Sequence, residues 1–356
     1  MEELARRKNA STTPLPCQYF DLIGGTSTGG LIALMLGRLR MVTSPMKISA
    51  NGKSVDDCIT TYISLAEQVF KTDEVAHGVI PSGDDQSRFD YRLLETAIIE
   101  IVEKYSEGRD PNTSLVDLSE GKTPTFVVAT PGYHADGPPA LLRSYGCQGH
   151  NADRCMIWEA GRATSAAPTF FKPIRIRTPP PGRIFVDGGL LHNNPSELAL
   201  QEVRRLWPSV TKCCLVSVGT GRQKSIKVVD APAPTGLVSR ALGYIPGART
   251  VAGVGALKRI AEACVALTTS SEQVHQRVLR KSMDEGEKFK YFRFQVERGM
   301  DEIGLEEWEK MDEMGDHVSR YLHEGEGEKK RDECADTLTD GGSTQQPQVV
   351  VPRLRP

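Results

Sequence analysis

The chain has 356 residues, 39% hydrophobic and 25% charged, with 44 basic against 46 acidic side chains and a formal charge of −2. That length can bury a substantial core, and the near-neutral balance leaves no electrostatic footprint for nucleic acid. No window of about 18 uninterrupted apolar residues exists and the start has charges without an apolar stretch, so the chain is expected to be cytoplasmic, at most peripheral at membranes, with no signal peptide or spanning helix.

The first strong pattern is Tyr19–Gly24, an apolar strand, followed by Gly25-Thr26-Ser27-Thr28-Gly29 and the helical run Gly30–Leu36. Strand, tight glycine turn and helix is the arrangement in which a serine on a strained turn lifts its hydroxyl above a sheet edge. N–H groups free at the helix start, beginning with Thr28, are placed to meet an oxyanion, so acyl transfer at Ser27 is implied. A plain packing turn is the competing reading of the motif alone. Phosphate binding is disfavoured, because Gly30-Leu31 stands where a P-loop needs Lys and Ser/Thr. The Gly52-Lys53-Ser54 triplet has Lys47 in place of the first loop glycine and no strand before it.

Further along, Val42–Lys53 shows no sustained period. Helical spacing marks Asp57–Phe70, Tyr91–Tyr105, Trp158–Thr164, Glu197–Trp207, Val254–Thr268 and Leu305–Leu322. Strands are predicted at Thr125–Thr130, Ile184–Val186, Cys214–Val218 and Lys290–Phe294. This alternation predicts an α/β fold with a mostly parallel central sheet covered by helices on both faces. Asp230–Gly247, rich in Pro, Gly and Ala, reads as a flap near the entrance to a site or a plain connector. From Gly325 apolar periodicity vanishes, so the domain is expected over 1–324 and a disordered tail over 325–356.

A nucleophilic serine needs a base. His77, His134 and His150 lie in polar, turn-rich stretches, His275, His317 and His323 in the charged C-terminal third, and His192 alone is tempting. Its competitor is Asp187, at the end of the apolar strand Arg183–Val186 and followed by Gly188-Gly189, which let the chain turn sharply. Eight cysteines without paired C-x-x-C spacing argue for reduced thiols and against zinc, so no metal and no cofactor is expected.

Four stretches, Gly25–Gly30, Ala163–Pro168, Asp187-Gly188-Gly189 and Asn193-Asn194-Pro195, occur in an order that resembles the patatin-like phospholipase family across roughly residues 17–220. The resemblance implies an α/β-hydrolase-related three-layer sandwich and a Ser-Asp dyad, with Ser27 the nucleophile and Asp187 the general base. It places Gly25, Thr28 and Gly29 at the elbow and oxyanion site and gives Gly188 and Gly189 a supporting part. Phospholipids or other lipid esters are the implied substrates, with transient membrane-surface contact and no nucleic-acid partner.

Two departures accompany it. The family's glycine-rich D-G-G-G-x-R-G loop, which follows an earlier strand, has no counterpart before Ser27. A core strand and an anion-binding turn are therefore expected to be missing, leaving the sheet uncovered near Ile23 and Phe126. Val42–Lys53 falls where the family runs almost directly on, and reads as a surface loop or an imperfect gene model. Three functions stay open: a phospholipase A-type acyl hydrolase, a weak or inactive lipid-binding or regulatory relative lacking the oxyanion loop, and a small-ester hydrolase or acyltransferase using a Ser27, Asp187, His192 triad.

Overall fold

The structure, a computed structural model, describes residues 1–41, 54–71, 87–132, 137–150, 152–168, 170–177, 179–221, 271–300, 303–304, 307–340 and 348–352. The Val42–Lys53 segment, the Asp230–Gly247 flap and the Val254–Thr268 helix lie outside these residues.

Among the described residues eight strands form one sheet: β1 (Leu22–Thr26), β2 (Thr125–Pro131), β3 (Ala140–Arg143), β4 (Ile174–Ile176), β5 (Arg183–Asp187), β6 (Cys213–Val218), β7 (Phe289–Phe294) and β8 (Gln348–Pro352). Their order is β4-β5-β2-β1-β8-β6-β7, with β3 also paired to β2. Strands β2, β1, β8, β6 and β7 run parallel. The flank is antiparallel, with β3 and β5 against β2 and β4 against β5. The mostly parallel sheet is thus present as a five-stranded centre.

Strand residues alternate between the two faces of a sheet. Val127 and Ala129 pack with apolar residues of helices Ser54–Phe70, Tyr91–Tyr105 and Ile157–Thr164. Phe126, Val128 and Leu22 pack instead with helix Ser196–Leu206 and the helix over 271–285. Burial on both sides explains why β2 reads as one apolar run rather than an alternation. Helix Tyr91–Tyr105 shows the local logic of these layers. Asp90 accepts from the Arg92 N–H at 2.9 Å as its N-cap, and Leu94, Ala97, Ile98, Ile101 and Val102 form its buried stripe.

Three expectations need correction. The strand carrying the serine starts at Leu22, not Tyr19, because Pro16 at the first helical position opens a turn over Pro16–Tyr19. The tail 325–356 is not disordered throughout: Gly325–Asp340 is a helix and Gln348–Pro352 is β8. That helix buries Cys334, Ala335 and Leu338 against Leu4, Phe20, Ile23 and Val216, and Arg7 pairs with Asp336 across the contact. Tertiary packing holds it where its own pattern is too weak. The uncovered sheet is likewise absent. Ile23 and Phe126 are fully buried, and β8 lies parallel between β1 and β6, pairing Val350 with Ile23.

Candidate active site

Ser27 leaves β1 at its C-terminal end and precedes helix Thr28–Ala33, which continues in a π-helical turn over Leu34–Arg38. Its backbone sits at φ +57°, ψ −133°, a conformation a side-chain-bearing residue holds only under surrounding restraint. The restraint is visible. The Ser27 N–H donates to Thr164 Oγ1 at 2.9 Å, and the Thr164 hydroxyl donates to the Val128 carbonyl at 2.8 Å. The Ser27 carbonyl accepts from the Gly30 N–H at 2.8 Å.

Glycine is required around this turn because backbones meet there. A Cβ on Gly25 would stand 2.0 Å from the Gly29 carbonyl oxygen, and one on Gly30 would stand 2.6 Å from Thr164 Oγ1. A Cβ on Gly188 would collide with the Val128 carbonyl at 2.3 Å.

Asp187 ends β5, which pairs with β2 so that Ala129 lies opposite it, one residue beyond the Val128 that faces Thr26. The two sequence-predicted residues therefore meet at one sheet edge. Ser27 Oγ donates to Asp187 Oδ2 at 2.6 Å, and Asp187 Oδ1 accepts from the Gly189 N–H at 2.6 Å. The Asp187 N–H donates to the Ala166 carbonyl at 2.9 Å and its carbonyl accepts from Thr130 Oγ1 at 3.1 Å, fixing the strand end. Both side chains are buried. Burial raises the Asp187 carboxyl to about 7, while the Ser27 and Gly189 hydrogen bonds pull it down less strongly.

His192 enters differently. Its backbone carbonyl accepts from Thr26 Oγ1 at 3.0 Å, its ring is pushed toward the neutral form by burial, and Asp187 directs its two oxygens to Ser27 and Gly189. Thr28 and Gly29 occupy the first helical turn, where N–H groups have no acceptor within the helix.

The residue that sequence reasoning missed is Thr164. The Ala163–Pro168 run reads as small-residue packing, yet its threonine holds Ser27 and its Ala166 carbonyl holds Asp187. Thr164 stands beside a second hydroxyl, Ser165, and no local pattern singled it out. Thr164→Val keeps the shape and orphans the Ser27 N–H. It is expected to cost about 1–3 kcal/mol of stability and to slow reaction at Ser27 at least about tenfold. Thr164→Ser should restore both. Thermal unfolding and the phosphonylation rate of Ser27 check this, and a Val variant that matches the parent in both would contradict it.

Fold and turn together define an α/β architecture of the hydrolase kind. Residues 119–200 match the patatin-like phospholipase family. The chain is 32% identical over 228 residues to calcium-independent phospholipase A2-gamma of Rattus norvegicus, covering 62% of this chain and 26% of the rat protein. It is 28% identical over 215 residues to the cGAMP-activated phospholipase of Escherichia coli, 58% of this chain and 50% of that protein. Phospholipase A I of Arabidopsis thaliana is 24% identical over 248 residues, 18% of its length. The family match covers residues 119–200, and the chain spans between 18% and 50% of the lengths of these relatives.

Proposed function

We propose that this chain hydrolyses carboxylic esters of glycerophospholipids, as a phospholipase A-type enzyme, through Ser27 and Asp187. The observation that carries this reading is the 2.6 Å hydrogen bond from Ser27 Oγ to a buried Asp187 on a turn held at positive φ. The names of the relatives supply the substrate class.

In the first step Ser27 Oγ attacks the ester carbonyl carbon and its proton passes to Asp187 Oδ2. The Thr28 and Gly29 N–H groups meet the oxyanion of the tetrahedral intermediate. Collapse breaks the ester C–O bond. The departing lysophospholipid oxygen takes the proton from Asp187, leaving the acyl group on Ser27. Water then attacks the acyl-enzyme, giving its proton to Asp187. The second collapse releases fatty acid and returns the proton to Ser27. Burial serves both roles of the carboxyl, because a group near pH 7 exchanges protons in either direction more readily than an ordinary aspartate.

The test is hydrolysis of phosphatidylcholine vesicles, read as equal release of fatty acid and lysophospholipid. Asp187 must be ionised to accept the proton, so kcat/KM should fall about tenfold per pH unit below about 7 and level off above it. A profile flat from pH 5 to 8 would remove Asp187 as the base. Vesicles bound but not cleaved would favour the lipid-binding reading instead.

A further inference from the structure

Between Ala160 and Val186 the sequence has no carboxylate, although the whole chain has a formal charge of −2. The stretch carries Arg162, which is fully buried, and then Lys172, Arg175, Arg177 and Arg183. Those four cations are gathered on the β4–β5 hairpin and the residues leading into it, at the edge of the sheet. Arg175 is exposed between buried Ile174 and Ile176, and Arg177 and Arg183 are exposed at the two sides of the hairpin end.

Residues 179–182 of the tip are apolar and short of donors. Pro179, Pro180 and Pro181 are exposed and carry no N–H, and the Gly182 N–H is already bonded to the Pro179 carbonyl at 3.0 Å. Entering a lipid interface costs most where a backbone N–H loses water without gaining a partner, and residues 179–182 present none. The tip is also anchored. Ile176 pairs with Arg183 in the ladder, and the Arg183 guanidinium lies 5.1 Å from the centre of the Phe185 ring and 3.6 Å from an Asp153 carboxylate oxygen, a partly exposed pair that lipid phosphate can compete for. From Arg183 the strand runs straight to Asp187, four residue steps or roughly 13 Å.

We infer that Arg177 and residues 179–183 of the β4–β5 hairpin dock the protein on an anionic bilayer, with Pro179–Pro181 seated among the headgroups and Arg177 and Arg183 against lipid phosphates. The combination of a shallow apolar insertion with a basic patch is what reversible membrane attachment requires, since neither alone holds well. The position of β5 then delivers lipid toward Asp187. That last clause rests on the phospholipase reading, whereas the attachment itself does not.

The experiment is co-sedimentation of the full chain with phosphatidylcholine vesicles, with and without phosphatidylglycerol, at low salt. The parent chain should bind the anionic vesicles and release them in high salt. Arg177→Glu/Arg183→Glu should weaken binding at least about tenfold, and Pro180→Asp should weaken it with both arginines intact. Labelling of Ser27 by a soluble fluorophosphonate reports folding, and should be the same in all variants. Binding that survives the double reversal, that is equal on neutral and anionic vesicles, or that ignores Pro180→Asp overturns the proposal. If the parent's Ser27 resists the probe while binding still follows the arginines, the phospholipase reading falls and the docking surface stands.

Discussion

Ser27→Ala and Asp187→Asn are each expected to lower phospholipid hydrolysis to one shared residual rate, at least about 10³-fold below the parent, and the double variant no further. Groups that act as one unit lose their effect together, so the single losses do not multiply. Asp187→Asn keeps an acceptor for the Gly189 N–H but cannot receive the Ser27 proton. The same substitution has a second, opposite effect. Because burial raises Asp187 from 3.8 to about 7, the folded chain holds a proton that the unfolded chain has released between those pH values. Stability contributed by this group therefore declines as pH rises from about 4 to about 7, and stays lost above. Asn carries no such cost. The variant should be more stable than the parent at pH 8, by up to about 4 kcal/mol, with the gap closing below pH 4. Two inactive variants of which neither gains stability at pH 8 would separate the roles assigned to Asp187.

The largest single loss of stability is expected from Glu202→Leu. Glu202 is fully buried on helix Ser196–Leu206, directly after the Asp187 turn, and takes Arg143 Nε at 2.6 Å and Nη2 at 2.9 Å from β3. Tyr145 donates to it at 2.9 Å and Arg205 at 2.5 Å. Burial pushes the Glu202 carboxyl up, but these hydrogen bonds outweigh it and hold the group ionised below the usual carboxylate range. Removing it leaves the Arg143 guanidinium, itself buried, without its counter-charge, at a cost of about 3–5 kcal/mol, or a drop in Tm of roughly 4–7 °C for a chain of this length. Arg143→Met combined with Glu202→Leu removes both charges and should recover most of that loss. Thermal melts of the two proteins decide it: a single variant that melts with the parent, or a double variant no better than the single, would contradict this account.

Much of the site was legible because it depends on backbone chemistry that glycine advertises. Gly25, Gly188 and Gly189 mark places where chains meet too closely for a Cβ, and those contacts bracket Ser27 and Asp187. What the sequence hides is whatever joins distant segments without a local pattern. Thr164 reaches Ser27 across 137 positions, and nothing in its neighbours distinguishes a hydrogen-bonding threonine from a packed one. Helix Gly325–Asp340 places only Gly327, Cys334, Ala335 and Leu338 inward, too sparse a stripe to read as amphipathic. Strand β8 is five residues long and parallel to partners far away in sequence, so no turn sets its register and only the gap between β1 and β6 identifies its place.

The central claim is that Ser27 is a nucleophile activated by Asp187. Its most direct test is treatment of the parent chain with a fluorophosphonate, followed by mass mapping of the adduct. The account predicts one phosphonyl group on Ser27, formed at a rate that rises with pH through about 7 and is lost in Asp187→Asn. A folded parent chain that leaves Ser27 unmodified, or Ser27 labelled equally fast in Asp187→Asn, would contradict it.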